Sequence, residues 1–494
     1  MTAWAGGYLI IGILWATGIL VTVLECRLTR ASATTFLLTL CSLLSVVGLS
    51  VWLFAQGAEA VFAGGEFRLD LFSLFVQAFV FLGALCALLL ATPGRKDWFP
   101  GSSGLILLSV AGASALSMAW NLMAVVIGFV GALVPLWGLA ALRSDGHGRE
   151  GALKGMIMGS LAAALTGMGA ALLLVRTGTT NFEGIRQYLL AADWIGSDPL
   201  LVIALALILA GTGCFVAAVP FHMHFVDVVE SLSGPGALLM SGCILAAGLA
   251  AVARMLLVGF QPVIDSGPGY SSWMSVLHGV GIAALLVCNA LALVQRKLKR
   301  MLAYLAAGQG GLVLLTLAAT GHISSSDPVL AQKAMGGILV FLAVFTVNWV
   351  GLFVAVEAVG GVDGADPDIG RLQGLAREHP WLAVAVGLAL LCMAGMPLTA
   401  GFFPRLYLLE AMVDAGWTKT AVVAALSLGL VLVTSLGLVA AMVMHRAREA
   451  SSVKVSCRLS VVAVISSLAI LLLGILPGGI LYLAIRSATS LLSF

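Results

Sequence analysis

The stretch Cys214-Phe-Val-Ala-Ala-Val-Pro-Phe-His-Met-His224 decides how this chain folds. It lies inside a long apolar run where a helix has to span lipid. Pro220 removes a backbone donor and crowds the preceding turn, so the helix breaks or kinks there. His222 and His224 follow at once. Ionisable groups at membrane depth are rare because burying their charge is costly. A broken membrane helix with polar groups at the break is how ion-translocating proteins build a site near the bilayer midplane.

Composition sets the same class. The chain has 494 residues, 61% of them hydrophobic and only 10% charged, with a mean hydropathy of +1.11. Soluble proteins carry about 25% charged residues. The expectation is an all-α polytopic membrane protein. The net charge of +3 and the dispersed basic residues give no nucleic-acid footprint. Cysteines 26, 41, 86, 214, 243, 288, 392 and 457 fall mostly inside apolar runs with no metal-ligand spacing, and read as small packing residues. No metal site and no catalytic residue is expected. Residues 1–24 read as a retained first span rather than a cleaved signal.

A spanning helix needs about 20 apolar residues. Runs of that kind recur from one centred near residue 15 to one near residue 471, which makes about 14 spans in a single transmembrane domain. The longest polar stretches, 56–70, 176–199 and 360–380, hold only short interfacial elements. Basic residues collect in the odd connections: Arg27 and Arg30; Arg95 and Lys96; Arg143 and Arg149; Arg296, Lys297, Lys299 and Arg300; Arg446, Arg448, Lys454 and Arg458. The positive-inside rule places those connections in the cytoplasm and both termini on the periplasmic side of a bacterial inner membrane.

A second interruption, Gly395-Met-Pro-Leu-Thr-Ala-Gly-Phe-Phe-Pro-Arg405, lies five spans after the first and centres on Pro397. Five is odd, so two five-helix units run in opposite senses. The units cover 101–260 and 270–445, after three leading helices (1–100) and before a C-terminal helix (456–494). Broken helices at matching places of inverted repeats point to an ion path.

At these residues the chain resembles a known family, the antiporter-like membrane subunits of bacterial respiratory complex I (NADH-quinone oxidoreductase), and within it the branch of the N subunits. The resemblance runs through Gly151-Ala-Leu-Lys154 and Leu174-Val-Arg-Thr-Gly-Thr-Thr-Asn-Phe182, then Ala217-Ala-Val-Pro-Phe-His222. It continues in Asn289-Ala-Leu-Ala-Leu293, Leu298-Lys-Arg-Met-Leu-Ala-Tyr304, Leu372-Gln-Gly-Leu-Ala-Arg377 and Ala394-Gly-Met-Pro-Leu-Thr-Ala-Gly-Phe-Phe403. Their order covers nearly the whole length. The resemblance implies a proton-translocating module. The electron-transfer groups of the complex (FMN, iron–sulfur clusters and quinone) lie in other subunits, and this chain holds no cofactor. Its partners are other membrane subunits and the lipid bilayer.

The chain departs from the family at the buried relay. The expected glutamate of the fifth helix falls at Val130, and the lysine before the seventh-helix proline at Phe215. The eighth-helix lysine falls at Leu245, a later histidine at Gln309, and the twelfth-helix lysine at Arg405. Val, Phe and Leu carry no proton, and Arg stays protonated. Removing one partner of a buried ion pair costs roughly 3–5 kcal/mol, whereas replacing both with packed apolar groups can be neutral. The joint absence at Val130 and Phe215 reads as such a paired loss.

The surviving proton-path candidates are His222, Lys154, Lys299 and Arg405. Lys154 is either the family's sixth-helix lysine or an i,i+4 partner of Glu150. His222 has the pKa range for proton exchange, against a neutral ring bonded to carbonyls freed by Pro220. Lys299 belongs to a basic cluster that also serves as an orientation or headgroup signal. Arg405 caps or pairs within the second break, with Glu410 as a partner in reach. His224 and Asp227 read as solvated, and Glu357 as interfacial. The leading function is a membrane-arm subunit of a proton-pumping NADH-quinone oxidoreductase with relay charges missing. The alternatives are a structural scaffold without its own proton path, and an independent cation/proton antiporter.

Overall fold

A computed structural model describes residues 3–28, 33–91, 99–143, 146–191, 198–262, 272–360, 366–445 and 455–492. The orientation signals Arg30, Arg95, Lys96, Arg446, Arg448 and Lys454 lie outside the described residues.

Lipid offers no hydrogen bonds to a bare backbone, so each apolar run closes its own ladder as a helix. The chain opens with α1 (Ala3–Leu28) and α2 (Ala33–Ala55), followed by a hairpin of β1 (Ala60–Phe62) and β2 (Phe67–Leu69). Next come α3 (Leu71–Leu90), α4 (Ser102–Met118), α5 (Leu122–Ala141), α6 (Gly146–Thr177) and the short α7 (Phe182–Ala191). The first interrupted span is α8 (Pro199–Phe215) plus α9 (His222–Ser231). A continuous rod, Gly234–Gly259, holds α10 (Gly234–Leu238) and α11 (Leu245–Arg254), each followed by a π turn.

The second half repeats the theme with α12 (Trp273–Leu293), α13 (Leu298–Ser324), α14 (Pro328–Val359) and a four-residue turn of helix, α15 (Leu375–Glu378). The second interrupted span is α16 (Pro380–Ala394) plus α17 (Phe402–Asp414). The chain closes with α18 (Thr418–Met444), α19 (Cys457–Ile475) and α20 (Gly478–Leu492). Among the described residues eleven helices are long and apolar enough to cross a membrane. Four shorter apolar helices (α4, α8, α16 and α20) accompany them.

Burial sorts these helices into layers. The rod Gly234–Gly259, α13 and α14 are buried along their whole apolar length, whereas α1, α2, α6, α18 and α19 bury about a third of theirs and turn the rest outward. Such all-round apolar central helices are what a lipid-embedded bundle requires. At 1.5 Å per residue, the 32 residues of α14 run about 48 Å, longer than the roughly 30 Å hydrocarbon core.

The polar stretch 56–70, expected as an interfacial element, is the β1–β2 hairpin, with Val61 opposite Arg68. Bridges Phe67–Ala119 and Asn121–Asn181 tie it to the α4–α5 and α6–α7 connections. The single C-terminal helix expected over 456–494 is corrected: Leu476 and Pro477 interrupt it between α19 and α20. The cause is the missing donor of Pro477.

Candidate functional site

Both interruptions use one hydrogen-bonded motif. At the end of α8 the Ala218 amide donates to the Gly213 carbonyl (2.8 Å) and the Ala217 amide to Cys214 (3.3 Å). At the end of α16 the Met396 amide donates to Leu391 and the Gly395 amide to Cys392, both at 3.0 Å. This is the Schellman ending, with one residue held in the left-handed region. In α16 that residue is Gly395 at φ 75°, but in α8 it is Ala217 at φ 57°. A Cβ in this region costs about 1–2 kcal/mol. Ala217→Gly should therefore raise the thermal midpoint of the purified protein, by about 0.5–1 kcal/mol of stability once the flexibility of glycine in the unfolded chain is counted. An unchanged or lowered midpoint would remove strain from the account of this turn.

Arg405 fills the second break. Its guanidinium donates to the carbonyls of Cys392 (3.1 Å), Met393 (2.6 Å) and Gly401 (2.8 Å), and to Gln309 Oε1 (3.1 Å). Three of these acceptors are carbonyls flanking the break, of which that of Cys392 also accepts from the Gly395 amide. A planar fork of five donors suits them. The expectation that Arg405 caps the break stands, but its pairing with Glu410 is corrected: Glu410 binds Lys333 at 2.6 Å near the surface. Gln309 also gains a role. At the two positions where the resemblance leads to the expectation of a histidine and a lysine, this chain has an amide bonded to an arginine.

The first break is packed by apolar side chains. The Phe215 ring stacks on Phe129 with centroids 4.4 Å apart and planes 7° from parallel. A Cβ added at Gly248 of α11 would lie 2.8 Å from Phe129 Cε1, so the rings wedge between α5, α8 and α11. Val130 packs against the same core and Leu245 is buried at the start of α11. All three relay positions of this half are therefore apolar and packed.

His222 opens α9 as its first residue. It is buried, and neither ring nitrogen makes a hydrogen bond. Its ring lies 6.1 Å from that of Tyr304 on α13. The backbone at Pro220 bears on the His222 ring without a fully formed hydrogen bond, and the His224 ring makes a close contact to the break, with Nδ1 2.6 Å from the Phe221 carbonyl.

Beyond α9 lies a charged layer. Lys154 binds both Glu150 and Asp227 at 2.8 Å, so the i,i+4 pair and a longer-range contact coexist. Arg300 Nη1 reaches Asp227 (2.9 Å) and Glu230 (2.7 Å). Asp227 is thus paired on two sides rather than simply solvated. Lys299 also departs from the headgroup reading. It is buried, and its ammonium donates to the carbonyls of Glu230 and Leu232 at 2.8 Å each. A cation at a helix C-terminus satisfies orphan carbonyls and the dipole together. Asp366 accepts from the backbone amides of Lys299 (2.8 Å) and Arg300 (3.3 Å) at the start of α13. Burial pushes its carboxyl up, against the pull of Lys299 and those amides. Glu357 is half-buried beside Gly234.

Two buried acids escaped the sequence reading. Asp70 and Arg254 are both fully buried and meet at 2.6 Å. Arg254 lies over the Phe72 ring (4.6 Å), and Arg68 over Trp120 (4.7 Å). Asp70 also caps α3 in a reciprocal box with Ser73. Glu25, buried in α1, accepts from the Gly101 and Ser103 amides where α4 starts. The signal was available: an Arg within the apolar run 245–259 and a Glu within 3–28 are both costly unless partnered.

Comparison with known proteins agrees with this architecture. The family described as NADH:quinone oxidoreductase/Mrp antiporter, TM, matches residues 119–434. A protein of Rhodospirillum rubrum named NADH-quinone oxidoreductase subunit N is 31% identical over 388 residues, 78% of this chain and 75% of that protein. One of the same name from Dehalococcoides mccartyi is 28% identical over 487 residues, 97% and 98% of the two chains. A chain of respiratory complex I from Thermus thermophilus superposes with a TM-score of 0.80 at 26% identity, covering 96% of this chain and 99% of that one. A chain of the Mrp complex from a Dietzia species shares the fold, with a TM-score of 0.83 at 21% identity over 100% and 98% of the two chains.

Proposed function

The chain belongs to the NADH:quinone oxidoreductase/Mrp antiporter membrane family, and on that premise we propose that it is a membrane-arm subunit of a proton-pumping NADH-quinone oxidoreductase whose own midplane relay is closed. Pairing α8 with α9, α16 with α17 and α19 with α20 gives fourteen crossings. The helices from 101 to 260 and from 270 to 445 then form the two inverted units, with the basic connections in the cytoplasm of a bacterial inner membrane and both termini periplasmic. FMN, iron–sulfur clusters and quinone work in other subunits. Among the described residues no three His, Cys, Asp or Glu side chains converge.

The observation that carries the closed relay is the replacement of titratable groups in both halves. Phe215, stacked on Phe129, stands where the first half needs a base, and Val130 stands where it needs an acid. Arg405 and Gln309 hold a fixed charge where the second half needs exchange. A relay must load and release a proton at each station; a permanent cation and an aromatic pair do neither. The subunit would then join neighbouring pumps and contribute a constant field. A second reading, a residual path, rests on His222, buried at the head of α9 with its ring 6.1 Å from that of Tyr304.

Proton-to-electron stoichiometry in proteoliposomes separates the two. With the assembled complex, His222→Ala should leave the ratio of protons moved to NADH oxidised unchanged. A drop in that ratio at normal assembly would show that a path through His222 conducts. Purification of the chain without other oxidoreductase subunits would favour an independent antiporter.

A further inference from the structure

Between α2, α3, α14, α19 and α20 lies an apolar groove of about 490 Å³. Val51, Phe54, Phe75, Leu82, Ala343 and Leu483 are among its walls. One buried polar atom faces it, the Ser50 hydroxyl, which has no hydrogen-bonding partner. Lipid tails are as apolar as these walls, so hydrophobicity alone holds nothing there. What a groove offers a chain is dispersion contact, and an unfilled one forfeits it.

The rim supplies the missing selectivity. α20 rises toward the hairpin, where Ser490 Oγ donates to Glu59 Oε1 at 3.0 Å. Arg486, one turn earlier, is exposed and makes no ion pair among the described residues. It stands three residues beyond Leu483 of the groove wall, hence on the same helix face. A Cβ built at Gly57, three residues after Phe54 of the opposite wall, would lie 3.7 Å from Arg486 Nη2. Tyr482, 66% exposed, sits one turn below Arg486. An exposed tyrosine followed by an arginine is the pattern of the membrane–water interface.

We propose that this groove is a phospholipid site: one acyl chain lies along the Phe and Leu walls, and the phosphate bonds Arg486. A cation above an apolar channel matches an anionic amphiphile. A transmembrane helix from a neighbour fits poorly. A helix about 10 Å across occupies roughly 400 Å³ per turn, so the groove seats about one turn. Most of its walls are bulky Phe, Leu, Val and Ile, with only Ser50, Ala78 and Ala343 small enough to let a helix backbone approach.

The test uses the assembled membrane complex, solubilised with its native lipids, washed with detergent, and read by mass spectrometry as phospholipid per complex. Ala78→Trp fills the groove from an exposed wall position, Arg486→Gln removes the anchor, and Val433→Trp is a control on the outward face of α18. The wild type and the control should keep one phospholipid more than Ala78→Trp. Arg486→Gln should lose that lipid about tenfold more readily, as expected for one charge-assisted bond. Should Ala78→Trp impair assembly, the exposed Arg486→Gln carries the test alone. Equal retention in wild type and Arg486→Gln overturns the proposal. So does a protein helix or an uncharged isoprenoid found in the groove.

Discussion

Arg405→Leu should lower stability by at least about 3 kcal/mol, because three buried acceptors lose their donor and each costs about 1–3 kcal/mol. These are the carbonyls of Met393 and Gly401 and the amide oxygen of Gln309, while the Cys392 carbonyl keeps the Gly395 amide. The Cys392 and Met393 carbonyls end α16, so the damage should centre on the break, with α16 and α17 separating first. Thermal inactivation of the purified complex and proteolytic cleavage near residues 394–402 would read this. Arg405→Lys should fall between the wild type and Arg405→Leu: it keeps the charge but reaches fewer carbonyls from a single ammonium. A near-normal midpoint for Arg405→Leu would mean that water enters the break and replaces the guanidinium.

The second large effect concerns the pair missed in the sequence. Arg254→Met should cost about 3–5 kcal/mol, since it leaves the Asp70 carboxylate without its closest cation in a fully buried site. Arg68 Nε, at 3.5 Å from the other carboxylate oxygen, softens the loss without replacing the 2.6 Å bond. Asp70→Asn alone should also destabilise, because Arg254 is then the unpaired charge. The double change, Asp70→Asn with Arg254→Met, should recover most of the loss. Asn keeps the N-cap of α3, and Met fills the space of the arginine stem. The readout is a double-mutant cycle on thermal midpoints. Additive losses would show that Asp70 and Arg254 are not energetically coupled, and would leave Asp70 with its capping role alone.

Much of the fold was legible because its determinants are local. Hydropathy marks apolar runs one window at a time, and Pro220 and Pro397 break helices by their own chemistry. Val130, Phe215 and Leu245 are apolar by residue type, and only the family resemblance makes them expected relay positions. Legibility failed where a residue type is compatible with several partners. Lys299 has the same sequence context whether it faces headgroups or, as here, the carbonyls of Glu230 and Leu232. Glu410, five residues from Arg405, looked like its partner, yet its oxygen meets Lys333 from α14. The C-terminal helix failed differently: Pro477 was visible, but the apolar run on either side outweighed it.

By itself, then, the sequence determined a polytopic helical membrane chain with two broken spans. Each of these follows from the free energy of single side chains and peptide groups in lipid. Only the tertiary structure decided what the buried charges bind. Arg405 finds Gln309 from 96 residues away, and Arg254 finds Asp70 from 184 away. In a medium without water a buried charge takes whichever acceptor the packing brings within about 3 Å, and that choice is made by helix neighbours distant along the chain.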